Sequence, residues 1–305
     1  MATLTPRTIN LGTRPSKLAQ RQTAHTLAQL QAAWPELNFH IVTLTTEGDR
    51  ILDRPLPEIG GKGVFTAELE SALRSGEIDL AVHSLKDLPI EPAPGLCLGS
   101  VSERANAQDV LISARGHTLS ALPQGARVGT SSLRREAQLR AVRPDLRVLP
   151  LRGNVDTRLR KAQAGEYDAI VLAAAGLERL ELSASITQYL PFELMLPAPG
   201  QGVLAVQCRA DDADLLQLLR PIHNEPAFRA VTAERAFLAG LGGGCSAPVA
   251  AYAEDQGQIL RLRGLVAAPD GKCVIRLSAT GPRPEALGQE LAEMALVQGA
   301  RDMLR

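Results

Sequence analysis

The feature that most constrains this chain is a rhythm. From about Thr8 to about Leu180, short apolar runs alternate with stretches of helical periodicity. Residues 8–11 read as a strand, and residues 16–34 as a helix with Leu18, Leu27, Leu30 and Trp34 near helical spacing. Residues 40–45 form the next strand, 64–74 a helix stopped by Gly76, and 80–83 a strand of the fully buried kind. The pattern resumes with a strand at 127–129 leading into a helix at 133–142. A strand at 146–151 then leads into a helix at 155–163, and one at 169–172 into a further helix. Such alternation builds βαβ units and layered α/β domains.

Two breaks divide the rhythm. Residues 88–125 carry PIEPAPG and LPQG, which read as a proline-rich crossing between two α/β domains. The stretch LPFELMLPAPGQG at 190–202 precedes a strand at 203–208 that can return to the first domain. A chain of 305 residues exceeds one ordinary core, in keeping with this partition. After residue 225 the reading changes. A helix at 226–241 ends in three glycines, and strands follow at 249–253, 259–266 and 273–279, separated by DQG and PDG turns. A helix at 284–304 comes last. This describes a small α+β domain with a three-stranded antiparallel sheet. The expected boundaries are 1–102 with 201–220 for the first domain, 106–197 for the second and 224–305 for the third.

The chain carries 33 basic and 33 acidic residues, so nucleic acid is not expected as the main partner. Of the basic residues 28 are arginines, whose planar fork suits carboxylate or phosphate. Several sit where strands hand over to helices: Arg14 in GTRPS, Arg134 and Arg135 in GTSSLRR, and Arg152 and Arg158 in LRGNVDTR. Helix N-termini bind anions, and ligands in α/β sheets sit at the carboxyl ends of strands. Ser132 and Asn154 could be simple caps and any one loop could be solvated. Three loops of the same composition at one structural position point instead to a cleft for several acidic groups. Arginine in a first helical turn opposes the macrodipole, and a bound anion would offset that.

The segment AVHSLKDLP ends a buried strand with Ser84, Lys86 and Asp87. A carboxylate there can stabilise a cation or exchange a proton with an amine. GGKGVF carries Lys62 but lacks phosphate-loop spacing, and residues 47–59 read as a lid. The four cysteines show no metal-ligand spacing. Cys97, Cys208 and Cys273 lie in or beside apolar runs and read as core residues. Cys245 follows three glycines and is either a small buried hydrophobe in a tight turn or an accessible thiol. No segment is long and apolar enough to span a bilayer and the start shows no secretory signal, so a cytoplasmic location without membrane association is expected.

In order, TRPSKLA, TEGD, GGKGVFTAELE, AVHSLKDLP, GTSSLRR, LRGNVDTRL, YDAIVLAAAGLERL, PGQG and GGGCSAPV resemble the signatures of the porphobilinogen deaminase (hydroxymethylbilane synthase) family. The resemblance implies two periplasmic-binding-protein-like α/β domains facing a cleft, with crossings near 100–108 and 196–202, and a third domain carrying the cysteine. It implies a transferase that joins four porphobilinogens head to tail into hydroxymethylbilane and releases four ammonias, for tetrapyrrole biosynthesis. A dipyrromethane cofactor would be attached through a thioether to Cys245. Ser84, Lys86, Asp87, Thr130, Ser131, Ser132, Arg134 and Arg135 would hold that cofactor. Arg14, Ser16, Lys62, Arg152, Asn154, Arg158, Arg179 and Gln201 would hold the incoming or growing chain, and Asp87 would be catalytic. A monomer is expected. Pro15 and Lys17 alter the first loop, and Asp156 stands where many members have glycine. The competing reading is a non-catalytic anion-binding protein of the solute-receptor type, which would need neither Cys245 nor Asp87.

Overall fold

The fold was obtained as a computed structural model that describes residues 8–50, 63–242 and 247–304. The first sheet begins with β1 (Thr8–Thr13), which leads through α1 (Lys17–Ala33) to β2 (Asn38–Thr43). Ser16 caps α1 by accepting from the Ala19 amide. The short α2 (Glu47–Arg50) and then α3 (Ala67–Ser75) follow, and α3 ends at Gly76 in the left-handed conformation, φ 79°. Next come β3 (Leu80–Ser84) and β4 (Leu96–Val101). The second sheet is built from β5 (Asp109–Ile112), β6 (Arg127–Gly129), α4 (Leu133–Val142), β7 (Arg147–Leu149), α5 (Val155–Gln163), β8 (Ala169–Ala173), α6 (Ala174–Arg179) and β9 (Gln188–Tyr189). The chain then returns as β10 (Leu204–Arg209), followed by α7 (Ala213–Leu219).

Strand order gives the architecture. The first sheet runs β2-β1-β3-β10-β4 and the second β7-β6-β8-β5-β9. In each, three parallel strands are followed by one strand of opposite sense and an edge strand that runs with the first three: β10 lies antiparallel to β3 and β4, and β5 antiparallel to β8 and β9. The chain therefore crosses between sheets twice, and the carboxyl ends of both sets of parallel strands carry the polar loops. This is the periplasmic-binding-protein-like pair implied by the resemblance. Leu11, Leu30, Leu80, Val206 and Leu215 fill one core of the first sheet, and Leu111, Val128, Leu139 and Val171 one core of the second.

The third unit consists of α8 (Glu225–Gly240), the antiparallel strands β11 (Val249–Asp255), β12 (Leu260–Ala267) and β13 (Val274–Gly281), α9 (Pro284–Val297) and α10 (Ala300–Met303). Phe237, Leu262, Leu287 and Leu291 form its core. The two helices approach backbone to backbone at Gly288, where a Cβ would lie 2.4 Å from the Ala233 carbonyl oxygen.

The sequence reading is corrected in four places. Residues 88–125 are not all crossing, because β4 and β5 lie within them; proline at their margins hid two short buried runs. The helix expected from residue 64 begins at Ala67, after turns at 63–66. The last helix is divided by Gly299 at φ 95°. Cys273 is exposed beside a turn, while Cys208 is buried and Cys97 half-buried, their sulfurs 3.9 Å apart across β10 and β4.

Candidate functional site

Two clusters of charge face the cleft at the ends of the parallel strands. The first centres on a residue that sequence reasoning missed, Asp109, the opening residue of β5. Its carboxylate is wholly buried and accepts from Arg134 Nη1 at 2.6 Å and from Arg135 Nε and Nη2 at 3.1 and 2.7 Å. Burial works against this charge, yet the two guanidinium groups hold its carboxyl far below the usual range. Gln201 donates to Asp109 at 2.9 Å and to the Ala107 carbonyl at 2.7 Å, while its Oε1 accepts from Lys86 Nζ at 3.2 Å. A continuous polar chain therefore joins the second sheet, the returning connection and the first sheet. Asp109 was legible in principle, because a carboxylate opening the apolar run DVLI must find a partner.

Lys86 and Asp87 lie on the single 3-10 turn after β3. Leu85 and Leu88, on either side, pack against Ala227 and Val231 of α8. Arg235 of the same helix donates to the carbonyls of Leu88, Pro89 and Ile90 at 3.2, 2.6 and 3.2 Å. The third domain thus fixes the turn that presents Asp87. Burial pushes Lys86 down to about 8; Asp87 opposes the shift and Arg135 adds to it. Burial likewise lowers Arg158 to about 10, with the Arg135 charge next in importance, and both Asp87 and Arg152 are near enough to act on it. So Lys86, Asp87, Arg134, Arg135, Arg152 and Arg158 share one electrostatic environment, crowded with positive charge.

The second cluster surrounds Arg14 at the end of β1. Its guanidinium is held by Asp49 through Nε at 3.1 Å and through Nη2, and it lies 4.2 Å over the Phe65 ring. Neighbouring His83 is lowered to about 4, by burial first and then by the Arg14 charge.

The remaining expected residues divide by what they touch. Ser132 caps α4 by accepting from the Arg135 amide, as Ser16 caps α1; each hydroxyl retains its proton to donate. Ser131 binds the Leu151 carbonyl and amide at 2.9 and 3.0 Å, tying two of the arginine loops together. Thr130 accepts from the Ser132 amide, and Ser84 accepts from Gln22. Asn154 stands at the start of α5 without a side-chain cap bond. Arg158 Nε donates to Gly153 and Arg179 to the Gly202 carbonyl, 2.7 and 2.8 Å. Arg179 and Gln201 thus also bond the connections between the two sheets. Lys62 and Cys245 lie outside the described residues. Lys17 and Asp156 form an ion pair with each other at 3.1 Å, joining the first turns of α1 and α5.

Glu234, wholly buried on α8, also escaped sequence reading. It accepts from Arg104 at 2.7 Å, from the Gly200 amide at 2.7 Å and from the Ala253 amide at 2.8 Å. One side chain of the third domain therefore grips both crossings. Among the described residues no cluster of histidine, cysteine, aspartate and glutamate could hold a metal ion.

A family model described as the dipyromethane cofactor binding domain of porphobilinogen deaminase matches residues 9–217, and one of that enzyme's C-terminal domain matches residues 228–297. The chain belongs to the porphobilinogen deaminase family. It is 50% identical over 295 residues to the porphobilinogen deaminase of Brevibacillus brevis, covering 96% of each chain. It is 52% identical over 298 residues to that of a Roseiflexus species, covering 97% of this chain and 98% of the relative. A solved periplasmic domain of Bordetella pertussis BvgS aligns with 70% of this chain and 86% of its own at 17% identity and a TM-score of 0.43. Family membership makes dipyrromethane the resident cofactor. The donor set fits such a group, because the cations of the first cluster outnumber its two carboxylates and burial disfavours the charge of Lys86, Arg134 and Arg158.

Proposed function

We propose that this chain is a working porphobilinogen deaminase, a transferase that condenses four porphobilinogens head to tail into hydroxymethylbilane with release of four ammonias, in tetrapyrrole biosynthesis. The observation that carries this reading is the surplus of buried cation around Asp87. Burial disfavours the charged forms of Lys86 and Arg158, and acidic pyrrole side chains are ligands that would stabilise those charges.

In this reading Cys245 holds the dipyrromethane through a thioether, and Ser84, Lys86, Thr130, Ser131, Ser132, Arg134 and Arg135 bind it. When bound, it supplies the pyrrole carbon that starts each condensation. Asp87, held by Arg235 and the Leu85–Leu88 packing, assists departure of the protonated amine of porphobilinogen and stabilises the cation left behind. Arg14, Ser16, Lys62, Arg152, Asn154, Arg158, Arg179 and Gln201 serve the incoming and growing chain, the last two by holding the connections between domains. The domain boundaries are 1–102 with 201–220, 106–197 and 224–305; the placement of β10 in the first sheet supports them.

The protein acts in the cytoplasm as a monomer. No helix among the described residues is long and apolar enough to cross a membrane. Val142, Tyr189, Ile259, Met294 and Val297, exposed and apolar, belong to four different stretches of the fold, the last two sharing α9. Intact-mass measurement tests the reading: the chain should exceed its sequence mass by one dipyrromethane, and Cys245→Ser should abolish the increment. An unmodified wild-type chain that still turns over would overturn it.

A further inference from the structure

The motif TEGD is the one signature to which the proposed reaction assigns no work, yet the structure gives its aspartate a specific place. Asp49 meets Arg14 side-on, using both carboxylate oxygens against Nε and Nη2. This is the bidentate geometry in which arginine takes any carboxylate. The pair is shielded, with 21% of the Arg14 side chain and 9% of the Asp49 side chain exposed. Three further observations show a built arrangement. Asp49 is oriented from behind by Thr46, fully buried, through its hydroxyl at 2.8 Å and its amide at 3.2 Å. Phe65 covers the outer face of the guanidinium. Gly48 is required for that cover, because a Cβ there would lie 2.2 Å from the Phe65 ring. The amide of Gly48 also donates to the Val64 carbonyl at 2.9 Å, so the Arg14 contact and the 46–50 and 63–66 segments form one assembly.

We propose that Asp49 is an internal stand-in for a substrate carboxylate: it keeps Arg14 aligned and shielded between additions and is displaced when an acidic side chain of porphobilinogen takes its seat. The proposal rests on the reading that Arg14 binds substrate. An arginine whose fork is already matched costs an incoming carboxylate the displacement of its partner, so Asp49 weakens apparent affinity. It also prevents Arg14 from folding onto other anions of the cleft. Displacing Asp49 breaks the link between Arg14 and the 46–50 segment, so each arrival of substrate loosens the cover formed by Phe65.

Steady-state kinetics on the cofactor-loaded enzyme test this. Asp49→Asn keeps the shape and removes the charge. KM for porphobilinogen should fall about fivefold with kcat little changed, the size expected for loss of one competing, partly exposed ion pair. Thr46→Val, which removes one bond to Asp49, should shift KM in the same direction by a smaller factor. In an Arg14→Gln background Asp49→Asn should leave KM unmoved. A rise in KM for Asp49→Asn would overturn displacement and make Asp49 a partner that binding requires. An unchanged KM for Asp49→Asn alongside a raised KM for Arg14→Gln would overturn the stand-in while leaving Arg14 as a substrate ligand. An unchanged KM for Arg14→Gln would instead overturn the assignment of Arg14. If Asp49→Asn does not fold, Thr46→Val decides by the same sign.

Discussion

Replacing Asp109 by asparagine removes the one negative charge that both Arg134 and Arg135 hold directly. All three side chains are at least nine-tenths buried, so solvent screening offers no discount. Removing one partner of a buried ion pair costs about 3–5 kcal/mol, because the other charge stays out of water uncompensated. Here two guanidinium groups are stranded, and an asparagine amide can accept from one while its NH2 opposes the other. Gln201 loses a charged acceptor as well, loosening the link to Lys86. With a urea dependence of about 2 kcal/mol per molar, the midpoint should fall by about 2 M. Intact mass should show partial or absent cofactor loading, since the two arginines lose their shared anchor. Asp156→Asn serves as the contrast: its partner Lys17 is largely exposed, and such pairs contribute less than about 1 kcal/mol. An Asp109→Asn midpoint within about 0.5 M of wild type, with full loading, would refute the assignment of Asp109 as the anchor of the site.

Three other expectations follow from particular groups. Lys86, lowered from 10.5 to about 8 by burial, is harder to keep charged folded than unfolded; stability should therefore rise as pH climbs from about 8 towards 10.5. The same loss of charge should put an alkaline limb near pH 8 on kcat/KM, and a profile for Lys86→Arg that keeps this limb would remove Lys86 from it. His83, lowered from 6.5 to about 4, stays neutral in the fold. Stability should therefore decline as pH falls from 6.5 to about 4, by about 3 kcal/mol at 1.36 kcal/mol per unit; chemical denaturation of His83→Gln should lack that slope. Gly288→Ala should cost about 3 kcal/mol through overpacking, because the Ala233 carbonyl oxygen stands 2.4 Å from the new Cβ. A thermal melt near that of wild type would show that the α8–α9 contact can relax.

Sequence alone was enough for most of what acts over a few residues. Periodicity placed most helices and strands, because one face of each must be apolar. The cap Ser132 was legible because a cap reaches only the next turn, whereas Asn154, offered on the same ground, makes no cap bond. The loops bearing Arg14, Arg134, Arg135, Arg152 and Arg158, and the turn bearing Asp87, were found because each follows its own strand. What the sequence did not disclose is which group compensates which. Asp109 neutralises arginines 25 and 26 residues away, Asp49 takes Arg14 from 35 residues away, and Glu234 grips crossings 130 and 34 residues away. Gln201 and Arg179, expected from sequence to serve substrate, also bond the connections between the domains, which no local pattern announces. Charge and hydrogen-bond pairing in a dry interior is satisfied by whatever the strand order brings within 3 Å, and no local pattern carries that order. The residues that make the cleft cationic are written in the sequence; the carboxylates that hold them in place are chosen by the fold.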